Sequence, residues 1–134
     1  MNPKKWGKYF WGTIYYVIIN YPKTPSDEDK LRIKEFFELL KYLLPCQNCT
    51  NHYTGYLSKY PLSNDILSSR ELLLIWAVKI NNEINKRLGK KEYTVEETLD
   101  YYTTEESKSD YSKQITTILL VILIILLICY IKFK

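Results

Sequence analysis

Two cysteines and the only histidine of the chain lie within a single short segment, LPCQNCTNH, residues 44–52. The two residues between Cys46 and Cys49 allow their sulfur atoms to reach bonding distance on the first turn of a helix. A thiolate at that position is a good nucleophile for thiol–disulfide exchange. Three interpretations compete: a redox-active pair, part of a zinc site, and two buried thiols.

The zinc and buried-thiol interpretations each meet a difficulty. A zinc site needs four ligands, usually cysteine or histidine. Cys46, Cys49 and His52 supply three, and Cys129 lies in a distant apolar segment, so zinc would require dimerisation or a carboxylate. The interpretation as two buried thiols conflicts with the position of the pair at a helix start, because the free backbone N–H groups there stabilise a reactive thiolate. The redox interpretation is therefore favoured.

The segment before the cysteine pair separates this chain from thioredoxin-like proteins. Those proteins place the pair after a strand of a βαβ unit, whereas FFELLKYLLP, residues 36–45, has helical periodicity. Its apolar stripe is predicted to contain Leu31, Phe36 or Phe37, Leu40 and Leu44. The sequence therefore indicates a helical oxidoreductase.

Proline, N-cap and glycine signals divide the first hundred residues into helices. Pro3 lies in the first turn of helix one, Ser26 with Asp29 forms an approximate capping box, and Gly89 ends helix four. Residues 63–65 are predicted to be a loop. The predicted helices are 4–20, from the N-cap Ser26 to about 44, from the cysteine pair to about 60, 70–88, and a short helix after Thr94.

Residues 115–131, ITTILLVILIILLICYI, contain no charged side chain. As a helix with about 1.5 Å rise per residue they span roughly 25 Å, close to the hydrocarbon core of a bilayer. The alternative, a buried core helix, needs an interior that so small a domain does not provide, since the segment is apolar on every face. We therefore predict a catalytic domain at 1–102, a polar linker at 103–113 and a transmembrane anchor at 114–132, with Cys129 as an inert membrane residue.

Two further properties limit the function. In MNPKKWGKYFWG, charged or aromatic residues interrupt any apolar run, so a signal peptide is not expected and the domain precedes its anchor. The net charge is +4, and the basic residues are scattered instead of forming a stripe. Nucleic-acid binding is therefore not expected.

Three segments match, in order and in spacing, the motifs of one enzyme family. In WGKYFWGTIYYVIINYP, residues 6–22, a glycine, a basic residue and a tryptophan precede a Tyr-Pro break. LPCQNCTNH has the pattern Pro-Cys-x-x-Cys-x-x-His, and IWAVKINNEINKRLGKKEY, residues 75–93, resembles a flavin-binding helix and the stretch after it. The chain resembles the Erv/ALR flavin-dependent sulfhydryl oxidases, most closely the short forms of large DNA viruses such as poxviruses and African swine fever virus.

The resemblance implies an all-α fold: a four-helix bundle that holds FAD, with a short fifth helix, followed here by the C-terminal transmembrane helix. It implies a thiol oxidase in which a substrate dithiol attacks Cys46 and Cys49 passes electrons to FAD. Oxygen then reoxidises the flavin and is reduced to hydrogen peroxide. Tyr15 and Asn81 each stand where the family commonly has histidine. The implied FAD-binding residues are Gly7, Lys8, Trp11, Tyr15, His52, Trp76, Asn81, Asn82, Asn85, Leu88, Lys91 and Tyr93.

The resemblance also implies partners. The shuttle cysteines and structural disulfide of the cellular relatives are absent from this sequence, so protein dithiols or a thioredoxin-like relay protein would react in trans, with molecular oxygen as the acceptor. A homodimer through the first helices is implied, and the aromatic-rich face of residues 6–21 is compatible with it. The anchored domain would face the host cytoplasm or belong to a virion membrane. Two rival functions are a membrane-anchored, zinc-stapled helical adaptor and a flavin-free thiol–disulfide exchanger.

Overall fold

The computed structural model describes the backbone of residues 2–132 and their side chains except those of residues 105–113 and 127. All regular structure within this range is helical, which confirms the predicted all-α class. The helices are α1 Pro3–Ile19, α2 Asp27–Leu43, α3 Gln47–Lys59, α4 Asn64–Leu67, α5 Arg70–Arg87 and α6 Val95–Lys132.

Local capping chemistry fixes the helix ends where the sequence predicts them. Ser26 and Asp29 form a reciprocal capping box at α2, and the hydrogen bonds from Ser26 lower the pKa of the Asp29 carboxyl. Thr94 and Glu97 form the same arrangement at α6, with N···O distances of 3.0 and 2.9 Å. Gly89, after α5, has a φ of +64°, a left-handed conformation that favours glycine. These caps satisfy backbone groups that a helix end leaves unpaired.

The first compact unit ends at Thr98 and contains the bundle. In it α1 packs on α5, α2 packs on α3 and α4, and α4 packs on α5. Phe37 of α2 meets Trp76 of α5 edge to face, with ring centres 4.9 Å apart. Burial of such apolar side chains is the main stabilising contribution to the bundle. The largest fully buried side chains among the described residues are Ile14, Tyr15, Ile18, Phe37, Leu67, Leu73 and Ile80.

Two local predictions were wrong. Residues 63–65, predicted as a loop, contain the N-cap Ser63 and the first two residues of the one-turn helix α4. Burial of Leu67 in the core stabilises this turn, which is too short to show helical periodicity. Leu31, predicted on the buried stripe of α2, is 56% exposed, whereas Ile33 is buried. The stripe that faces the core is therefore Ile33, Phe37 and Leu40.

Helix α6 is longer than the short fifth helix that the sequence predicts. It continues through residues 103–113, predicted as a polar linker, and this stretch contains neither glycine nor proline to break it. The second compact unit begins at Leu99. Within it Gln114–Lys132 is exposed, has a mean hydropathy of 2.8, and is long and apolar enough to cross a membrane. The boundaries 1–102, 103–113 and 114–132 of the functional segments remain a prediction.

Candidate active site

The cysteine pair forms a disulfide at the start of α3. Cys46 is the N-cap of that helix, its Cα lies 5.1 Å from that of Cys49, and both residues are half-buried. The backbone N–H of Cys49 also points to the Sγ of Cys46, at 3.3 Å. A sulfur at this position lies among the free N–H groups of the helix start, which favour a thiolate when the bond is reduced.

The zinc alternative lacks a ligand set. Among the residues whose side chains are described, no group of three or more histidine, cysteine, aspartate or glutamate side chains could hold a metal ion. His52, the third ligand of that interpretation, is exposed on α3.

A contiguous chain of contacts fixes α3 against the bundle. Tyr53, one turn after Cys49, is 3% exposed and donates its hydroxyl to the backbone oxygen of Phe37 at 3.0 Å. Burial raises the pKa of Tyr53, so the hydroxyl stays a hydrogen-bond donor. Phe37 in turn contacts Trp76. The start of α3 is therefore linked through Tyr53 and Phe37 to α2 and α5. Tyr53 was not among the predicted site residues, although its i+4 spacing from Cys49 is a signal.

Trp76 lies in the core, 4% exposed. Its indole N–H donates to the backbone oxygen of Tyr60, at the end of α3, at 2.9 Å. The Tyr60 ring also lies near the ammonium groups of Lys59 and Lys79, at 4.9 and 4.2 Å from the ring centre. Trp76 thus joins α5 to both α2 and α3, and its predicted flavin contact stays a prediction.

The two positions that depart from the family pattern contact each other. The side-chain nitrogen Nδ2 of Asn81, on α5, donates to the hydroxyl oxygen of Tyr15, on α1, at 3.0 Å. Tyr15 is 2% exposed, and its ring centre lies 5.8 Å from that of Trp11. Tyr15 and Asn81, both predicted cofactor residues, therefore form one polar pair between α1 and α5.

Two further polar side chains lie at the predicted site. Asn85, 9% exposed, lies one turn after Asn81 on the same face of α5. The indole N–H of Trp6, on α1, is buried and has no partner within the described part of the chain. Buried polar groups are nearly always hydrogen-bonded, so the Trp6 N–H is available to a ligand. Trp6 was not predicted, although it directly precedes Gly7 in the first motif.

Asn82 has a different role from its neighbours. Its side-chain amide donates to the backbone oxygen of Tyr93 at 2.8 Å and accepts from the Tyr93 N–H at 2.9 Å. The amide therefore clamps the segment after α5. On that segment Lys91 pairs with Glu97 at 2.8 Å, which raises the pKa of Lys91 and lowers that of Glu97.

The remaining predicted site residues lie on exposed or open parts of the bundle. A Cβ added at Gly7 would meet no atom within 4 Å, so protein packing does not require glycine there. Lys8 is exposed, with its ammonium 4.7 Å from the centre of the Tyr9 ring. Leu88, the C-cap of α5, is 49% exposed, and Tyr93 is 46% exposed. The structure thus brings Trp11, Tyr15 and Asn81 together.

Comparisons with known proteins give one consistent family. The profile described as the Erv1 / Alr family matches residues 8–113. The protein named Probable FAD-linked sulfhydryl oxidase R368, from Acanthamoeba polyphaga mimivirus, is 41% identical over 115 residues, which cover 84% of this chain and 80% of that protein. The FAD-linked sulfhydryl oxidase of African swine fever virus is 31% identical over 112 residues, covering 79% and 92%.

The fold has a solved counterpart. The crystal structure of the FAD-binding domain of Erv1 from Saccharomyces cerevisiae matches 78% of this chain and 96% of that chain, with a TM-score of 0.71 and 24% identity. At this identity the likeness shows the helical fold alone.

Proposed function

Since the chain belongs to the Erv1/Alr family, we propose that the Cys46–Cys49 disulfide is the redox centre of an FAD-dependent thiol oxidase. The family match spans most of the bundle, and relatives named FAD-linked sulfhydryl oxidases cover most of the chain. The enzyme forms disulfide bonds in protein substrates and passes their electrons to oxygen through FAD. The observation that carries the assignment is a disulfide at a helix start inside the matched region. Oxygen uptake by the purified chain with dithiothreitol tests it.

The exchange chemistry follows from the two sulfurs. A substrate thiolate attacks Sγ of Cys46, the Cys46–Cys49 bond breaks, and Cys49 leaves as a thiolate that the start of α3 stabilises. A second substrate thiol, as its thiolate, attacks the substrate sulfur of the mixed disulfide, and Cys46 leaves. The substrate is oxidised by two electrons, and the cysteine pair is reduced by the same two. The roles of Cys46 as the attacked sulfur and Cys49 as the flavin-side sulfur are part of the proposal.

The residues of α1 and α5 fit a bound flavin nucleotide. When bound, FAD would accept two electrons from the reduced pair and deliver them to oxygen, which is reduced to hydrogen peroxide. The buried, unpartnered N–H of Trp6 supports the fit, because a nucleotide can accept a hydrogen bond from it. Asn85, on the same face of α5 as Asn81, is proposed to bind the nucleotide as well. The Asn82 clamp would hold Lys91 at the end of α5, where a cation suits a diphosphate. The other residues proposed to hold FAD are Gly7, Lys8, Trp11, Tyr15, His52, Trp76, Asn81, Leu88 and Tyr93.

Replacement of Asn85 with leucine tests this fit through its separate effects on FAD affinity and on the stability of the FAD-free protein. We expect the dissociation constant for FAD to rise roughly tenfold, because about 1–3 kcal/mol of hydrogen bonding to the ligand is lost. The FAD-free protein should keep its stability within about 1 kcal/mol of the wild type, since leucine is an apolar side chain of similar volume at a buried position. Fluorescence titration with FAD and urea unfolding measure the two quantities.

The matched control is Asn64→Leu, at an exposed asparagine of α4. It should leave FAD affinity unchanged. Unaltered affinity in Asn85→Leu, or a loss of stability without FAD beyond that range, would show that Asn85 serves the packing of the bundle instead of the cofactor.

The partners are proposed from the cysteines and the surface of α1. Besides Cys46 and Cys49 the sequence contains only Cys129, so protein dithiols, or a thioredoxin-like relay protein, would bring electrons to the pair directly. Tyr9, Thr13 and Tyr16 form an exposed stripe on α1. That stripe supports a homodimer through α1, which the molar mass measured in solution would reveal.

The C-terminal part of α6 is proposed to anchor the enzyme, with residues 1–102 as the catalytic domain, 103–113 as the linker and 114–132 in the bilayer. Deletion of residues 114–134 should move the protein from the membrane pellet to the supernatant, while oxidation of dithiothreitol is retained. Fractionation after an alkaline wash measures this. Wild-type protein released by that wash, or a truncated form that still pellets, would contradict anchoring.

Protease added to intact host cells and to virions distinguishes a domain facing the host cytoplasm from one exposed on a virion.

A further inference from the structure

The end of α2 carries a cluster of exposed apolar side chains. Leu39, Tyr42 and Leu43 are 54%, 79% and 68% exposed. Their i, i+3 and i+4 spacing places them on one face of the helix. We call these three residues the α2 patch. Adjacent exposed apolar side chains of this size mark interaction sites more often than isolated ones do.

The α2 patch lies beside the disulfide. Leu43 is the last residue of α2, and only Leu44 and Pro45 separate it from Cys46, the N-cap of α3. Three residues of chain span at most about 11 Å, and one helical turn adds about 5 Å back to Leu39. A partner protein typically covers about 800 Å² of surface, a disc roughly 30 Å across. A partner protein centred on Cys46 is therefore large enough to reach the patch as well.

The surroundings of the α2 patch carry little net charge. Glu38, directly before the patch on α2, and Lys41, between Leu39 and Tyr42, form an ion pair with each other. On the far side of the disulfide, Gln47 donates to the Asn51 side chain at 3.1 Å. The surface next to Cys46 is therefore apolar with a neutral, amide-containing rim, which suits an apolar segment of polypeptide better than a charged one.

Resting on the proposed thiol oxidase function, we infer that the α2 patch is the docking surface for protein substrates and selects cysteines flanked by apolar side chains. The occupant is an extended segment of the substrate, whose leucine, phenylalanine or similar side chains cover Tyr42 and Leu43 while its thiolate attacks Cys46. The patch binds substrate and takes no part in the exchange. A small dithiol does not need it, so the two kinds of substrate separate docking from chemistry.

The test uses the full chain in phosphatidylcholine nanodiscs with three reduced substrates. Two are synthetic peptides of equal length, each with two cysteines, flanked by leucine and phenylalanine in one and by serine and glycine in the other; the third is dithiothreitol. We expect the wild type to prefer the apolar peptide about tenfold in kcat/KM. The peptide with serine and glycine lacks the apolar side chains that would bind the patch, and loss of one such interface anchor has an effect of this size. The double variant Tyr42→Ser/Leu43→Ser should lose that preference and oxidise dithiothreitol at the wild-type rate.

Leu31→Ser is the matched control, because Leu31 is an exposed leucine near the other end of α2. It should keep the peptide preference. Equal loss of dithiothreitol and peptide oxidation in the double variant, or no preference in the wild type, overturns the inference. Unchanged peptide selectivity in the double variant overturns it as well. An altered molar mass of that variant would then assign the patch to a second copy of the chain, and altered vesicle binding would assign it to the lipid surface. Absence of dithiothreitol oxidation in the wild type would instead refute the proposed function.

Discussion

Replacement of Cys49 with serine is expected to abolish thiol oxidation. Oxygen consumption with dithiothreitol should fall at least about 1000-fold, since removal of a catalytic nucleophile removes the covalent route altogether. A serine oxygen cannot form the bond to Cys46 that the cycle breaks and remakes. Cys46→Ser should lose turnover for the same reason. An oxygen electrode measures both rates against the wild type.

Both variants should keep their flavin. The groups proposed to hold FAD lie mainly on α1 and α5, whereas the cysteines begin α3. Cys129→Ser, which removes the only other thiol, should oxidise dithiothreitol at the wild-type rate. Retention of more than a small fraction of turnover by either active-site variant would show that the pair is not the redox centre, and loss of flavin together with turnover would leave the role of the sulfurs unsupported.

Trp76→Ala is expected to have the largest effect on stability. The side chain is 4% exposed, contacts Phe37 and donates to the Tyr60 carbonyl. Truncation of such a tryptophan lowers the free energy of unfolding by about 3–5 kcal/mol, a large share of the roughly 5–15 kcal/mol typical of a domain. Urea unfolding followed by the fluorescence of Trp6 and Trp11, at equal FAD concentration, measures the change.

Trp76→Phe separates the two contributions to that loss. It keeps an aromatic ring against Phe37 but removes the donor to Tyr60, so we expect a smaller loss, of which about 1–3 kcal/mol reflects the unpaired carbonyl. Tyr42→Ala, at a side chain that is 79% exposed, is the control and should change stability by less than about 0.5 kcal/mol. A loss below 1 kcal/mol in Trp76→Ala would show that the α2–α5 contact contributes little to the bundle.

The features that the sequence predicts correctly are those decided by local chemistry. Helix ends depend on residues three or four apart, so Ser26 with Asp29 and Thr94 with Glu97 reveal α2 and α6. Gly89 marks the end of α5 because its positive φ is a property of that residue alone. The spacing of Cys46 and Cys49 likewise lets the two sulfur atoms reach bonding distance within one helical turn.

The features that the sequence does not reveal depend on partners far along the chain. The Tyr15–Asn81 pair joins residues 66 positions apart, and no periodicity encodes it. Asn82 belongs to the same asparagine-rich motif, yet its amide is used by the backbone of Tyr93. The buried face of α2 was also assigned wrongly at Leu31, because hydrophobicity alone does not distinguish two adjacent faces that both carry apolar residues.

The most direct test of the redox centre is anaerobic addition of dithiothreitol to the purified full chain while the visible absorption of the flavin is recorded. We expect that absorption to disappear in the wild type and in Cys129→Ser, and to persist in Cys49→Ser, which lacks the sulfur proposed to pass electrons to FAD. A folded wild-type protein without flavin absorption, or an equally fast loss of absorption in Cys49→Ser, would contradict the proposal.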